Sequence, residues 1–223
     1  MTLLGLDLTS EFGSLAIRRG GETLLEQSIE SRTGFAHLVF PAIQKILGEA
    51  GLSLSEVDCF AVSTGPGAFT GLRVALAATK GLADVRGKPA LGVSKLRAMA
   101  SFGTEAHRLV MLDARRGEVF AAVYNDRLEP IVEEIVTKSE PWLLTLSADE
   151  SYQLITSDRA WLRSVVNSTR FEGMASIETP HNLAGAIAKC AEADLSGGAT
   201  GDPAVLDANY VRRSDAELYW TDN

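Results

Sequence analysis

The sequence predicts an α/β fold of two related halves, each a mixed sheet flanked by helices. Three observations predict it. Residues 1–100 read in the order β-β-β-α-β-α-β, which makes a mixed sheet with helices on its faces. A second round of strand, polar turn and strand opens with "RLVMLDARRGEVFAAVYN". The two openings also echo each other: "LGLDLTSEFGSLAI" and "VMLDARRGEVFAAV" each place an aspartate at a strand end, then a turn, then a returning strand. The expected lobes are residues 1–100 and 101–223, with the final helix and tail packing back toward the first lobe.

Taken in order, "LLGLDLTS" is a strand ending in a polar turn, and "SLAIRRGGETLLEQSI" is an antiparallel hairpin turning at Gly20 and Gly21. "FAHLVFPAIQKILGEA" has helical periodicity over 35–50, and Gly51 stops it. "VDCFAVST" is uninterruptedly apolar, as expected of a strand buried on both faces. A helix over about 70–85, the strand "ALGVS" and a helix from Lys95 complete the round. Further strands are expected at 131–137 and 152–157, with helices near 140–147 and 158–167. "ASIETP" reads as a last strand. "HNLAGAIAKCAEA" reads as a helix capped by His181 or Asn182.

The 223 residues, 46% hydrophobic and 22% charged, describe a globular chain able to bury a core. A net charge of -8 excludes a protein that grips nucleic acid by itself, because phosphate binding draws on clustered Lys and Arg. RNA would need a partner's positive surface. No apolar run is long enough to span a membrane, and "MTLLGLDLTSEFG" lacks a basic leader, so the expected location is cytoplasmic. Cys59 and Cys190 read as buried free thiols suited to a reducing compartment. His37, His107 and His181 stand too far apart in sequence for a metal motif.

Four places carry candidate chemistry. In "STGPGAFTGLR", Gly65 and Gly67 lie in a strand-to-helix turn that resembles a phosphate grip. The phosphate-loop spacing fails, its lysine is missing, and Pro66 removes a donor, so a tight turn is the competing reading. Asp7, Thr9 and Ser10 offer a carboxylate and two hydroxyls to a hydrated Mg²⁺, or form an Asx turn. Asp113, Arg115, Arg116 and Glu118 crowd charge onto one turn, either a hairpin tip or a docking point for an acidic partner. Lastly, on the helix over 35–50, Phe40 and Leu38 widen the core stripe. On the helix over 70–85, Arg73, Lys80 and Asp84 form a narrow polar stripe in an otherwise apolar or small circumference. Such helices need cover on both sides, from a partner or from this chain.

Together, "LGLDLTSEFGSLAI", "VSTGPGAFTGLRVALAATKGLA", "LGVSKLRAMA", "LDARRGEVFAAVY" and "ANYVRR" resemble the bacterial TsaB (YeaZ) family across nearly the whole chain. The resemblance implies an actin-like (ASKHA, ribonuclease H-like) fold. It also implies a role in forming threonylcarbamoyladenosine beside the anticodon of tRNA. In that family the TsaB-like subunit is an accessory that pairs with a catalytic TsaD through its first two helices, and a small ATPase, TsaE, joins them. Leu38, Phe40, Arg73, Leu76 and Lys80 are then expected at the partner interface. Asp113, Arg115 and Glu118 are expected toward the lobe cleft or the ATPase. No intrinsic cofactor is expected, with ATP or ADP and Mg²⁺ only at a subunit junction. Alone, the chain is expected to form a homodimer, and tRNA is met only through the complex. The sequence agrees with an accessory: where the catalytic relative has a metal-binding histidine pair, this chain offers His37 and then Pro41. Two other readings compete, a small actin-like ATPase or kinase using Asp7, Thr9 and Ser10 with Asp113, and a metal-dependent peptidase.

Overall fold

A computed structural model describes residues 1–31 and 33–209. The tail from Tyr210, which holds most of "ANYVRR", lies outside the described residues. The chain divides into unit 1, Met1–Ser101 with Pro180–Ala208, and unit 2, built on Phe102–Thr179.

Unit 1 grows around β1 (Thr2–Asp7), buried at all of its positions. β2 (Phe12–Arg19) and β3 (Glu22–Glu30) add antiparallel strands on one side. Gly20 and Gly21, at φ 61° and 88°, form the two-residue turn between them, a conformation that suits the twist of a hairpin. α1 (Val39–Glu49) leads through a short 3₁₀ turn to β4 (Cys59–Ser63). α2 (Phe69–Arg86), β5 (Ala90–Val93) and α3 (Lys95–Ala100) follow. β4 lies parallel to both β1 and β5, so the sheet order is β3-β2-β1-β4-β5.

The two faces of this sheet differ in residue size. Leu4, Leu6, Leu15, Ile17, Phe60 and Val62 form one core with the buried faces of α1 and α2. The alternate residues at the middle of the sheet, among them Gly5, Ser14, Ala16 and Ala61, are small, while Leu3, Leu91 and Val93 are the larger ones on that face. Over that face runs α6 (Ala184–Ser196). A Cβ at Gly5 would lie 2.3 Å from the Ala184 carbonyl oxygen, so strand and helix meet backbone to backbone. α6 starts later than expected and is not capped by His181 or Asn182; its N-cap is Leu183. The cap comes from the sheet instead. Ser14 Oγ accepts from the Leu183 and Ala184 amides at 3.1 and 3.0 Å, and Glu26 Oε1 accepts from Gly185 at 2.8 Å. These are the amides that a helix start leaves unsatisfied. α1 also begins late, at Val39, because Phe35 opens a separate turn whose carbonyl receives the Leu38 and Val39 amides.

Unit 2 repeats the topology. β6 (Arg108–Arg115) pairs antiparallel with β7 (Glu118–Tyr124), which pairs with β8 (Pro130–Lys138). After α4 (Ser139–Leu143), β9 (Gln153–Thr156) lies parallel to β6. After α5 (Arg159–Val166), β10 (Ser176–Glu178) lies parallel to β9. The order β10-β9-β6-β7-β8 is that of the first sheet, strand for strand. The echo of two short segments is thus the trace of two whole lobes. Trp142, Leu143, Leu162 and Phe171 fill the core over β6, β7 and β9.

Candidate functional site

The glycine-rich loop between β4 and α2 directs its backbone at the chain itself. The Ala68 amide donates to the Thr9 carbonyl at 2.7 Å, the Thr64 amide to Val93 at 2.9 Å, and the Gly65 amide to Ser63 Oγ at 3.4 Å. A Cβ at Gly67 would lie 2.2 Å from the Thr9 oxygen, and one at Gly71 would lie 1.8 Å from the Leu8 oxygen. Glycine is needed here for close approach of the loop and α2 to the turn after β1. Pro66 is buried within the same loop.

Asp7 closes β1 and is 1% exposed. Its Oδ1 accepts from the Thr9 amide at 3.0 Å and from Thr9 Oγ1 at 2.5 Å, an Asx turn. Lys95, the first residue of α3, stands beside it, with Nζ 3.1 Å from Thr9 Oγ1 and 4.0 Å from Asp7 Oδ2. Ser10 turns away and donates to the Phe12 carbonyl at 2.7 Å. Asp7, Thr9, Gly65 and Gly67 therefore come together, joined by a lysine that sequence reasoning missed. The available signal was the lysine that opens α3 in the run "LGVSKLRAMA", whose other charge is Arg97.

The matching turn in unit 2 is built alike but exposed. Asp113 Oδ1 accepts from the Arg115 amide at 2.7 Å, and Arg115 Nη1 lies 3.3 Å from Asp113 Oδ2. Arg116 and Gly117, at φ 56° and 70°, make the two-residue hairpin turn between Arg115 and Glu118. Arg115 itself is at φ 66°. Each non-glycine residue in this region costs about 1 kcal/mol or more. Lys138 Nζ steadies the tip by donating to the Arg116 carbonyl at 2.7 Å. Beside it lies a hollow of about 230 Å³ walled by Arg115, Arg116, Glu118, Ser139 and Trp161.

α1 and α2 pack side by side on unit 1. Phe40 and Phe69 are 50% and 44% exposed, and Leu38 is half-buried. Arg73 lies over the Phe69 ring at 3.7 Å. Leu76 is buried in the core. Lys80 bonds the Leu206 carbonyl at 2.8 Å, and Leu206 enters the same core, so residues 204–208 cover part of α2. Thr70, Arg73, Ala77, Gly81 and Val85 remain exposed along the helix.

Both thiols are free and buried. Burial, with Asp58 beside it, pushes Cys59 up to about 12, and burial raises Cys190. Among the described residues, no three His, Cys, Asp or Glu side chains are grouped to share a metal ion. No helix among them is long and apolar enough to cross a membrane.

A family model described as TsaD, tRNA N6-adenosine threonylcarbamoyltransferase, matches residues 29–175. The tRNA threonylcarbamoyladenosine biosynthesis protein TsaB of Haemophilus influenzae is 32% identical over 176 residues, which are 72% of this chain and 74% of that protein. The chain belongs to the TsaB (YeaZ) family. The TsaB of Bacillus subtilis aligns over 100% of this chain and 99% of its own length at 25% identity. The solved structure of YeaZ from Pseudomonas aeruginosa superposes with a TM-score of 0.77 at 25% identity, over 94% of this chain and 99% of that one. The fold is the actin-like one of TsaB, two related lobes of mixed sheet flanked by helices.

Proposed function

We propose that this chain serves tRNA threonylcarbamoyladenosine biosynthesis as a non-catalytic scaffold and activator. It binds a TsaD-like catalytic subunit through α1 and α2, and a TsaE-like ATPase joins the pair. The TsaB and TsaD names of its relatives support the pathway. The observation that carries the scaffold role is the outer face of α1 and α2. Phe40, Phe69 and Val85 stand exposed there, beside small Ala77 and Gly81 that let another helix approach closely. Arg73, stacked on Phe69, gives that face a fixed positive charge for orienting a partner. In the absence of the catalytic subunit the same face pairs two copies of this chain. The strained β6–β7 tip, with Asp113, Arg115 and Glu118, is the contact for the ATPase, and ATP or ADP with Mg²⁺ belongs to that junction. tRNA is met only through the complex.

Ala77→Arg and Phe40→Asp place charge on the exposed face without entering the core. Each is expected to weaken co-elution with the TsaD-like subunit by at least about tenfold, since a charge at the centre of an apolar interface costs about 2 kcal/mol or more. Leu144→Glu, at an exposed residue of unit 2, serves as control. Unchanged co-elution of both α1/α2 variants would sink the scaffold reading. Depletion of the protein is expected to remove threonylcarbamoyladenosine from digested tRNA, read by mass spectrometry; an intact level would refute the pathway.

A further inference from the structure

The end of β1, the β4–α2 loop and the start of α3 meet at one buried point of unit 1. The groups that could hold a ligand there are turned on each other. The Ala68 amide is taken by Thr9, and the Lys95 amide by the Gly65 carbonyl at 2.7 Å. Asp7 Oδ1 is taken by the Thr9 amide and hydroxyl. Among the buried side-chain atoms at this point, Asp7 Oδ2 is left over, without a hydrogen-bond partner among the described residues. It faces Lys95 Nζ at 4.0 Å, in a lysine that is 8% exposed.

A buried carboxylate oxygen with no hydrogen bond is held by charge or not at all. A hydrated divalent cation seeks this combination of carboxylate oxygen and hydroxyl. Here the cation beside it is covalent. Lys95 is fixed from two sides, its amide on Gly65 and its ammonium on Thr9 Oγ1, which in turn donates to Asp7 Oδ1. A second cation next to Oδ2 would meet the ammonium at close range. The site does not fit a bound metal.

We infer that Lys95 is the resident cation of this lobe: it fills the place beside Asp7 that a divalent ion would take, and so closes the Asp7–Thr9 site to metal-bound phosphate ligands. Removing its charge turns a self-neutralised contact into a cation site. The inference is independent of the partner reading, because its readouts need no second protein.

Mn²⁺ is the probe, measured by electron paramagnetic resonance and by melting in Mn²⁺ against EDTA, on the wild type, Asp7→Asn, Lys95→Met and Asp7→Asn/Lys95→Met. The wild type is expected to melt alike in both media. Lys95→Met is expected to melt lower in EDTA and recover in Mn²⁺. It should bind Mn²⁺ at least about fivefold more tightly than the wild type, the factor one unit charge at this range is worth even in bulk water. The double variant, with neither charge, is expected to melt above Lys95→Met in EDTA and to ignore Mn²⁺. Three results overturn the inference: stabilisation of the wild type by Mn²⁺ that Asp7→Asn abolishes, a Lys95→Met protein that matches the wild type in both readouts, or failure of both Lys95→Met and the double variant to fold. If Lys95→Met does not fold in either medium, the double variant decides. Its folding supports a charge role for Lys95, and its failure assigns Lys95 to packing and overturns the inference.

Discussion

Gly71→Ala should weaken unit 1 although alanine is the better helix former. The added Cβ falls 1.8 Å from the Leu8 carbonyl oxygen, where carbon atoms do not approach closer than 3.0 Å. The start of α2 or the turn after β1 must therefore shift by more than an ångström. That shift pulls on the 2.7 Å bond from the Ala68 amide to Thr9. Overpacking of this kind costs about 1–3 kcal/mol, and the strained hydrogen bond about 1 kcal/mol more. Helix propensity returns at most about 1 kcal/mol. The net expectation is a loss of about 1–3 kcal/mol. Gly81→Ala, on the same helix with nothing within 4 Å of the new Cβ, is expected to gain about 0.5–1 kcal/mol. Urea unfolding followed by far-UV circular dichroism measures both. In a Trp220→Phe background, emission from Trp142 and Trp161, which lie in unit 2, reports whether the change stays in unit 1. The reasoning is refuted if Gly71→Ala is as stable as the wild type, or if Gly81→Ala loses as much as Gly71→Ala.

Three further outcomes can be checked. Ser14→Ala removes the buried acceptor of two α6 amides and is expected to cost about 1–2 kcal/mol, read by denaturant unfolding. With Cys59 pushed up to about 12 and Cys190 also raised, both by burial, neither thiol is expected to react with a disulfide reagent at neutral pH until denaturant is added. Rapid labelling of the native protein would contradict that. The Thr2 amide at 2.8 Å, helped by Lys88, holds Asp58 below the usual carboxylate range. A lowered folded pKa stabilises above the unfolded value, about 3.9, and the gain disappears as pH falls through the folded one. Asp58→Asn should thus lose stability at neutral pH, by under about 1 kcal/mol at so exposed a site, and the gap should close in acid.

Hydrophobic period and turn chemistry made most of the fold legible. The buried run at β4, the stripe of Val39, Ile43, Ile46 and Leu47 on α1, and the paired Asp-turn openings all appear as local pattern. What stayed hidden is long-range. Ser14 caps a helix that begins 170 residues later, and Lys95 reaches Thr9 across 86 residues. Periodicity says which face is apolar and says nothing about which element covers it. The same limit hid the cover that residues 204–208 give α2. The glycines of the β4–α2 loop misled for a related reason. A loop that approaches a phosphate and one that approaches a neighbouring carbonyl need the same small residue, and only the partner distinguishes them.

The return of α6 to the first sheet sets a schedule for synthesis. β5 ends at Val93, and the helix that covers the small-residue face of its sheet begins at Ala184. On a ribosome adding about 5–20 residues per second, that face waits roughly 5–20 s for its cover once β5 is made, and the Ser14 hydroxyl waits longer still. The whole of Phe102–Thr179 emerges in the interval and has the elements of its own sheet to fold with. The lobe begun first is therefore the lobe finished last. A nascent chain arrested before Ala184 would present an uncovered sheet face to chaperones and proteases.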